Sequence, residues 1–257
     1  MNDELVIKGL EKIKDLNKLC FSDLDISRQR KFKNISLKMI VLSERTTDET
    51  KNDIFERINR GSDLLKDMEY RKGIYKGKFN DFLYKLAQNE LYVKLTPIAK
   101  WLINRQEREE LLLRFFAFSE WYPSFSDSSG ISKQLDNYMK EKNEEFKDAL
   151  EQEMTERFNI TMEFVKKCYP YGFAKNTKTK QVARPYFEAL SVGAYLALKE
   201  NPNLIITKES AEKLLTDPQF IASVSGRYQT HRAKTIRARI DFVKDGLKQY
   251  GYVECKK

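Results

Sequence analysis

A single histidine, His231, in 257 residues narrows the available chemistry more than any other feature of this sequence. Zinc proteases, HNH-type nucleases, HD phosphohydrolases and Ser-His-Asp hydrolases each need at least one histidine at a fixed spacing from its partners. His231 stands in Gln-Thr-His-Arg-Ala-Lys with no carboxylate or second histidine beside it, and reads as a surface or helix-start residue rather than a general base. No Gly-x-x-x-x-Gly-Lys-Ser/Thr loop and no Gly-x-Gly-x-x-Gly turn occurs, so P-loop and Rossmann readings lack their phosphate cradles. Cys20, Cys168 and Cys255 are odd in number and far apart, which excludes a Cys-rich zinc site and suits a reducing, cytoplasmic compartment. Any catalysis would rest on carboxylates, Arg, Lys or Tyr.

Cationic residues are the remaining candidates. In Asp53-Ile-Phe-Glu-Arg-Ile-Asn-Arg-Gly61, Arg57, Asn59 and Arg60 crowd just before the glycine. Two readings stand: a helix stop in which Asn59 and Gly61 accept left-handed backbone, or two guanidiniums beside exposed backbone groups that hold a phosphate or carboxylate. Further along, residues 166–184 carry six basic and no acidic side chains, and residues 226–257 carry nine basic against three acidic. Such concentrations are the footprint of a phosphate-rich partner, and they are equally what keeps a helical surface in water. The candidate nucleic-acid contacts are Lys175, Lys178, Lys180 and Arg184 in the basic segment and Arg237, Lys244 and Lys248 on the final helix. Tyr169, Tyr171 and Phe173 could stack on bases there, although burial against the helical body is the favoured reading. Glu110 and Arg114 are spaced for an i,i+4 surface pair contributing about 0.2–0.5 kcal/mol.

The elements that must position these groups are helical. Hydrophobic residues make up 41% of the chain and charged ones 33%, with a net charge of +9, and glycine and proline are scarce. This composition excludes collagen-like and disordered classes, and no apolar run is long enough for a membrane helix. The Met-Asn-Asp-Glu start lacks signal-peptide layout. Apolar spacing predicts helices over 4–19, 66–75, 79–89, 105–121, 131–167 (one broken or two consecutive), 186–200, 208–215, 218–225 and 231–249. Thr47 and Asp48 can cap another helix bearing Ile54, Phe55 and Ile58. One strand is expected, at 35–43, with no evident partner to satisfy its backbone. The expected fold is therefore mainly α, a multi-helical bundle with one or few short β-strands near the N-terminus. Two segments are expected: 1–126, with the strand and a Phe-x-x-x-Asn-x-Gly motif, and 127–257, helical throughout.

Phe55-Glu-Arg-Ile-Asn59-Arg-Gly61, then Leu65, Met68-Glu69-Tyr70-Arg71 and Tyr75-Lys-Gly77-Lys-Phe79, resembles the second signature of the GmrS-type family, the ParB-like N-terminal half of GmrSD modification-dependent restriction systems. Arg108-Glu-Glu110 through Phe118 is similar to that family's core helix, and Thr235-Ile-Arg-Ala-Arg239-Ile240 to its closing helix. The family's Asp-Gly-Gln-Gln-Arg signature is absent, as is its His-rich HNH module; Ser27-Arg28-Gln29-Arg30 lacks the Asp and Gly. The resemblance implies a truncated or split member of a phage-defence system. Its ParB-like portion would precede residue 1 or lie on a partner chain, and would join the strand at 35–43. It further implies DNA contact and part of a nucleotide site formed by Arg57, Asn59, Gly61, Glu69 and Arg71. A nucleoside triphosphate with Mg would bind only when the missing portion is present. Alone the chain would not be an active nuclease; with a partner it would be part of a nucleotide-dependent DNA endonuclease. The alternative is a non-catalytic helical module that binds nucleic acid or a protein partner.

Overall fold

A computed structural model of the chain describes residues 5–36, 39, 41, 43, 46–47, 50–51, 54, 66–126, 130–175, 181–225 and 232–253. Met1–Phe55 and Glu56–Lys257 form separate compact units. Helices on both sides of residue 126 share one core within the second unit.

In the first unit the helix expected over 4–19 does not form across the described residues. Gly9 and Lys18 adopt left-handed backbone (φ 79° and 75°), which a right-handed helix cannot contain. The chain instead closes a loop. The Ile7 N–H donates to the Leu19 carbonyl (2.9 Å), the Lys18 N–H to the Ile7 carbonyl (2.8 Å), and the Asn17 side chain bridges both backbone groups of Leu10. Helix α1, Ile26–Lys33, starts where Asp25 accepts the Arg28 N–H and ends in a basic turn of Arg30, Lys31 and Lys33. That arrangement sets an acceptor at the positive end of the helix dipole and cations at the negative end. Thr47 does act as a cap, its Oγ1 accepting the Thr50 N–H at 3.3 Å. Of the strand expected at 35–43, residues 37, 38, 40 and 42 lie outside the described residues, and Ile35, Ser36, Met39, Val41 and Ser43 are described and in no strand.

The second unit contains α2 (Asp67–Ile74), α3 (Lys78–Ala87), α4 (Glu90–Leu95), α5 (Lys100–Asn104), α6 (Glu107–Trp121), α7 (Ile131–Glu145), α8 (Asp148–Cys168), α9 (Arg184–Glu200), α10 (Lys208–Thr216), α11 (Pro218–Ser225) and α12 (Ala233–Tyr250). It is mainly α, as the periodicity predicts. Leu111, Leu112, Leu113, Phe115, Phe116, Ala117 and Phe118 of α6 are all fully buried, so this helix has no solvent face along its middle and forms the centre. Helices α3, α7 and α9 surround it, and α12 packs along α9. Gly193 makes that last contact close, because a Cβ there would come within 2.8 Å of the Val243 side chain. Asn143 of α7 accepts the Phe79 and Asn80 N–H groups at the start of α3, capping one helix from another. Proline in the first turn of α9 needs no hydrogen bond there. Two-residue strands β1 (Leu204–Ile205) and β2 (Tyr252–Val253) pair antiparallel, with Leu204 opposite Val253, tying the chain after α9 to the end of α12. No helix among the described residues is long and apolar enough to cross a membrane.

Candidate functional site

Charged side chains enter the core of the second unit from five helices and neutralise one another there. Arg71 of α2 is wholly buried. Its Nε donates to Asp136 of α7 (2.7 Å), its Nη1 to Glu110 of α6 (2.5 Å), and its Nη2 to the backbone carbonyl and Oγ of Ser132 (3.0 and 3.1 Å). The second oxygen of Glu110 accepts from Arg114 Nε one turn on (2.7 Å), and Arg114 Nη1 reaches Glu188 of α9 (2.9 Å). Glu188 in turn accepts from Arg239 of α12. The chain of contacts thus runs Asp136, Arg71, Glu110, Arg114, Glu188, Arg239, alternating in sign throughout. Beside it, Arg184 at the start of α9 grips Glu107 with two parallel bonds (2.6 and 2.7 Å), and its Nη1 lies 3.9 Å from Glu110.

Electrostatics follow from this order. Burial pushes the Glu110 carboxyl up, but the guanidiniums of Arg114, Arg71 and Arg184 outweigh it and hold the group below its usual range. Burial likewise disfavours the Arg114 cation, yet Glu110 and Glu188 on either side raise it further above its ordinary value. For Arg239 burial prevails over the attraction of Glu188, and its pKa falls. Asp136, at the outer end of the chain, is raised by desolvation despite Arg71. A buried charge survives only when paired and hydrogen-bonded, so these groups are committed to one another.

This arrangement gives several residues singled out in the sequence protein partners. Glu110 and Arg114 form a core pair, not a surface pair, because Arg71, Glu188 and Arg239 arrive from distant elements to bury them. Arg71, expected at a nucleotide site, spends all three of its guanidinium nitrogens on protein oxygens. Glu69 caps α2 through the Lys66 N–H (2.8 Å) and pairs with Arg105 (3.0 Å). Arg57, Asn59, Gly61, Lys178 and Lys180 lie outside the described residues. Tyr169 and Phe173 are buried, as the packing reading holds, while the Tyr171 hydroxyl donates to Glu212. Among the described residues no three His, Cys, Asp or Glu side chains gather in a metal-holding group.

The expected nucleic-acid contacts divide in the same way. Lys244 donates to the Tyr122 hydroxyl (2.7 Å) and lies over its ring, and that hydrogen bond raises its pKa. Lys248 pairs with Glu200 (2.5 Å). Arg184 is taken by Glu107 on one edge. Arg237 and Lys175 are exposed. Arg232 and Lys234 join Arg237 as exposed cations at the start of α12, and none of the three pairs with an acidic group among the described residues. Glu188 and Asp136 were not singled out from sequence. The one available signal is Glu188 itself, a lone carboxylate inside the apolar run from Tyr186 to Leu198. No family model, no curated protein and no solved structure matches this chain.

Proposed function

We propose that this chain is the helical body of a GmrS-like, cytoplasmic phage-defence system, a truncated or split member that contributes DNA contact while the reactive groups are carried on a ParB-like portion elsewhere. The observation that carries the reading is the sorting of positive charge. The core arginines are each matched to a carboxylate, whereas Arg232, Lys234 and Arg237 stand exposed, with no acidic partner among the described residues, at the start of an 18-residue helix with no acidic residue in its first turn. Unmatched cations grouped at a helix start favour phosphate oxygens through both side-chain charge and helix dipole. The Phe55 to Phe79 signature supports the family assignment.

Commitment of Arg71 and Glu69 to protein partners favours a second reading, in which the module binds nucleic acid with no nucleotide involved. A pair of measurements separates the two. Under the first reading, charge reversal at Arg232, Lys234 and Arg237 together abolishes binding of a duplex DNA in 50 mM salt, and GTP or ATP with Mg²⁺ raises the melting temperature once the ParB-like portion is supplied, an effect lost in Arg57→Ala/Asn59→Ala. DNA binding with no nucleotide effect selects the module. Unchanged DNA binding by the charge-reversed protein overturns both.

A further inference from the structure

Beside the buried ion chain opens a cleft of about 340 Å³, lined by Lys66, Asp67, Trp101, Leu102, Glu107 and Arg184. This volume lies in the range that holds small organic ligands. Two features of its wall are unusual for this molecule. Trp101, on α5, is 61% exposed, while Trp121 is packed against Phe118 and Tyr138. Leaving an indole in water forgoes the large burial free energy that aromatic side chains ordinarily gain. Arg184 is the second feature. Its Nε and Nη2 are fixed by Glu107, while its Nη1 stands 3.9 Å from Glu110 without a hydrogen bond to a described residue, and a quarter of the side chain remains exposed.

We infer that this cleft receives one unpaired nucleobase with its phosphate. The ring lies on the Trp101 face, and Arg184 Nη1 and the exposed Lys66 amine take the phosphate oxygens. Stacking on an indole accepts any base, because each presents a π-face. An arginine pre-set by Glu107 meets an anion with little loss of side-chain freedom. Glu107 is bonded to one edge of Arg184, and Asp67 is the other acidic group of the lining, able to accept from an exocyclic amine of the base. The same chemistry is offered by a base within a single strand and by a free mononucleotide. The inference rests on the nucleic-acid reading above and adds a base-recognising residue to it.

Trp101 supplies its own reporter. Emission is recorded from the full chain during titration with an unstructured 12-nucleotide DNA strand, the same sequence as duplex, adenosine monophosphate, and ribose 5-phosphate. The expected result is saturable quenching by the single strand and by adenosine monophosphate, absent in Trp101→Phe, where only Trp121 emits. Single-strand affinity should fall about fivefold or more in Trp101→Ala, with a smaller loss in Lys66→Ala and unaltered circular dichroism. Quenching by the single strand but not by adenosine monophosphate assigns the cleft to a strand, and the reverse assigns it to a free nucleotide and removes DNA as its source while leaving the base site standing. Equal binding of the single strand by the wild type and Trp101→Ala overturns the cleft and spares the DNA-contact reading. Equal quenching by ribose 5-phosphate and adenosine monophosphate overturns it as well, since the ring would then contribute nothing.

Discussion

Glu110 lies fully buried among Arg71, Arg114 and Arg184, and its protonation is where acid acts on this core. Its folded pKa is depressed below the ordinary 4.5, so its contribution to stability is complete above that value and is lost as pH falls through the lower folded one. Glu110→Gln removes one partner of two buried cations and should cost about 3–5 kcal/mol at pH 7 by urea denaturation. The deficit should shrink below pH 4.5. Glu109, its neighbour, has the opposite sign. Desolvation raises its pKa despite Lys72 and Arg108, so the ionised form burdens the fold at neutral pH. Glu109→Gln should raise the urea midpoint at pH 7, and the gain should vanish as pH falls below 4.5. The exposed Lys248–Glu200 pair should matter little, with Lys248→Ala costing at most about 1 kcal/mol. Of these residues the sequence revealed the i,i+4 spacing of Glu110 and Arg114 but not their burial. Burial depends on partners 39 residues before and 74 after, and no local pattern encodes those.

Helix α9 meets α12 with almost no room to spare at Gly193. Alanine is the better helix former by about 1 kcal/mol, yet its Cβ would lie 2.8 Å from the Val243 side chain and 3.2 Å from the Ile240 carbonyl. Overpacking of that kind costs about 1–3 kcal/mol. Gly193→Ala should therefore lower the melting temperature, and a rise would show that the two helices can separate freely. Helices with a strong apolar stripe or a fully apolar middle, α3, α6, α9 and α12, were legible from periodicity, since tertiary burial and local spacing agree there. The segment before α1 was not. Val6, Leu10, Ile13 and Leu16 keep helical spacing, but left-handed backbone at Gly9 and Lys18 interrupts it, and only Gly9 signals the break. The β1–β2 pair is two residues a side, too short to leave an alternating pattern.

Among the described residues, positive charge falls into two populations. In the core it closes a chain of ion pairs linking α2, α6, α7, α9 and α12, and at the start of α12 it stands exposed with no acidic partner among the described residues. Composition and segment charge made the second population visible and hid the first, because a count of arginines cannot distinguish those facing carboxylates from those facing water. The most direct measurement is the salt dependence of duplex DNA affinity for the wild type and for Arg232→Ala/Lys234→Ala/Arg237→Ala. Each lost phosphate contact lowers the log–log slope by about 0.9, so the triple variant is expected to show a slope shallower by about 2–3 with its melting temperature unchanged. Identical slopes and affinities for the two proteins would contradict the assignment of these cations to a phosphate backbone.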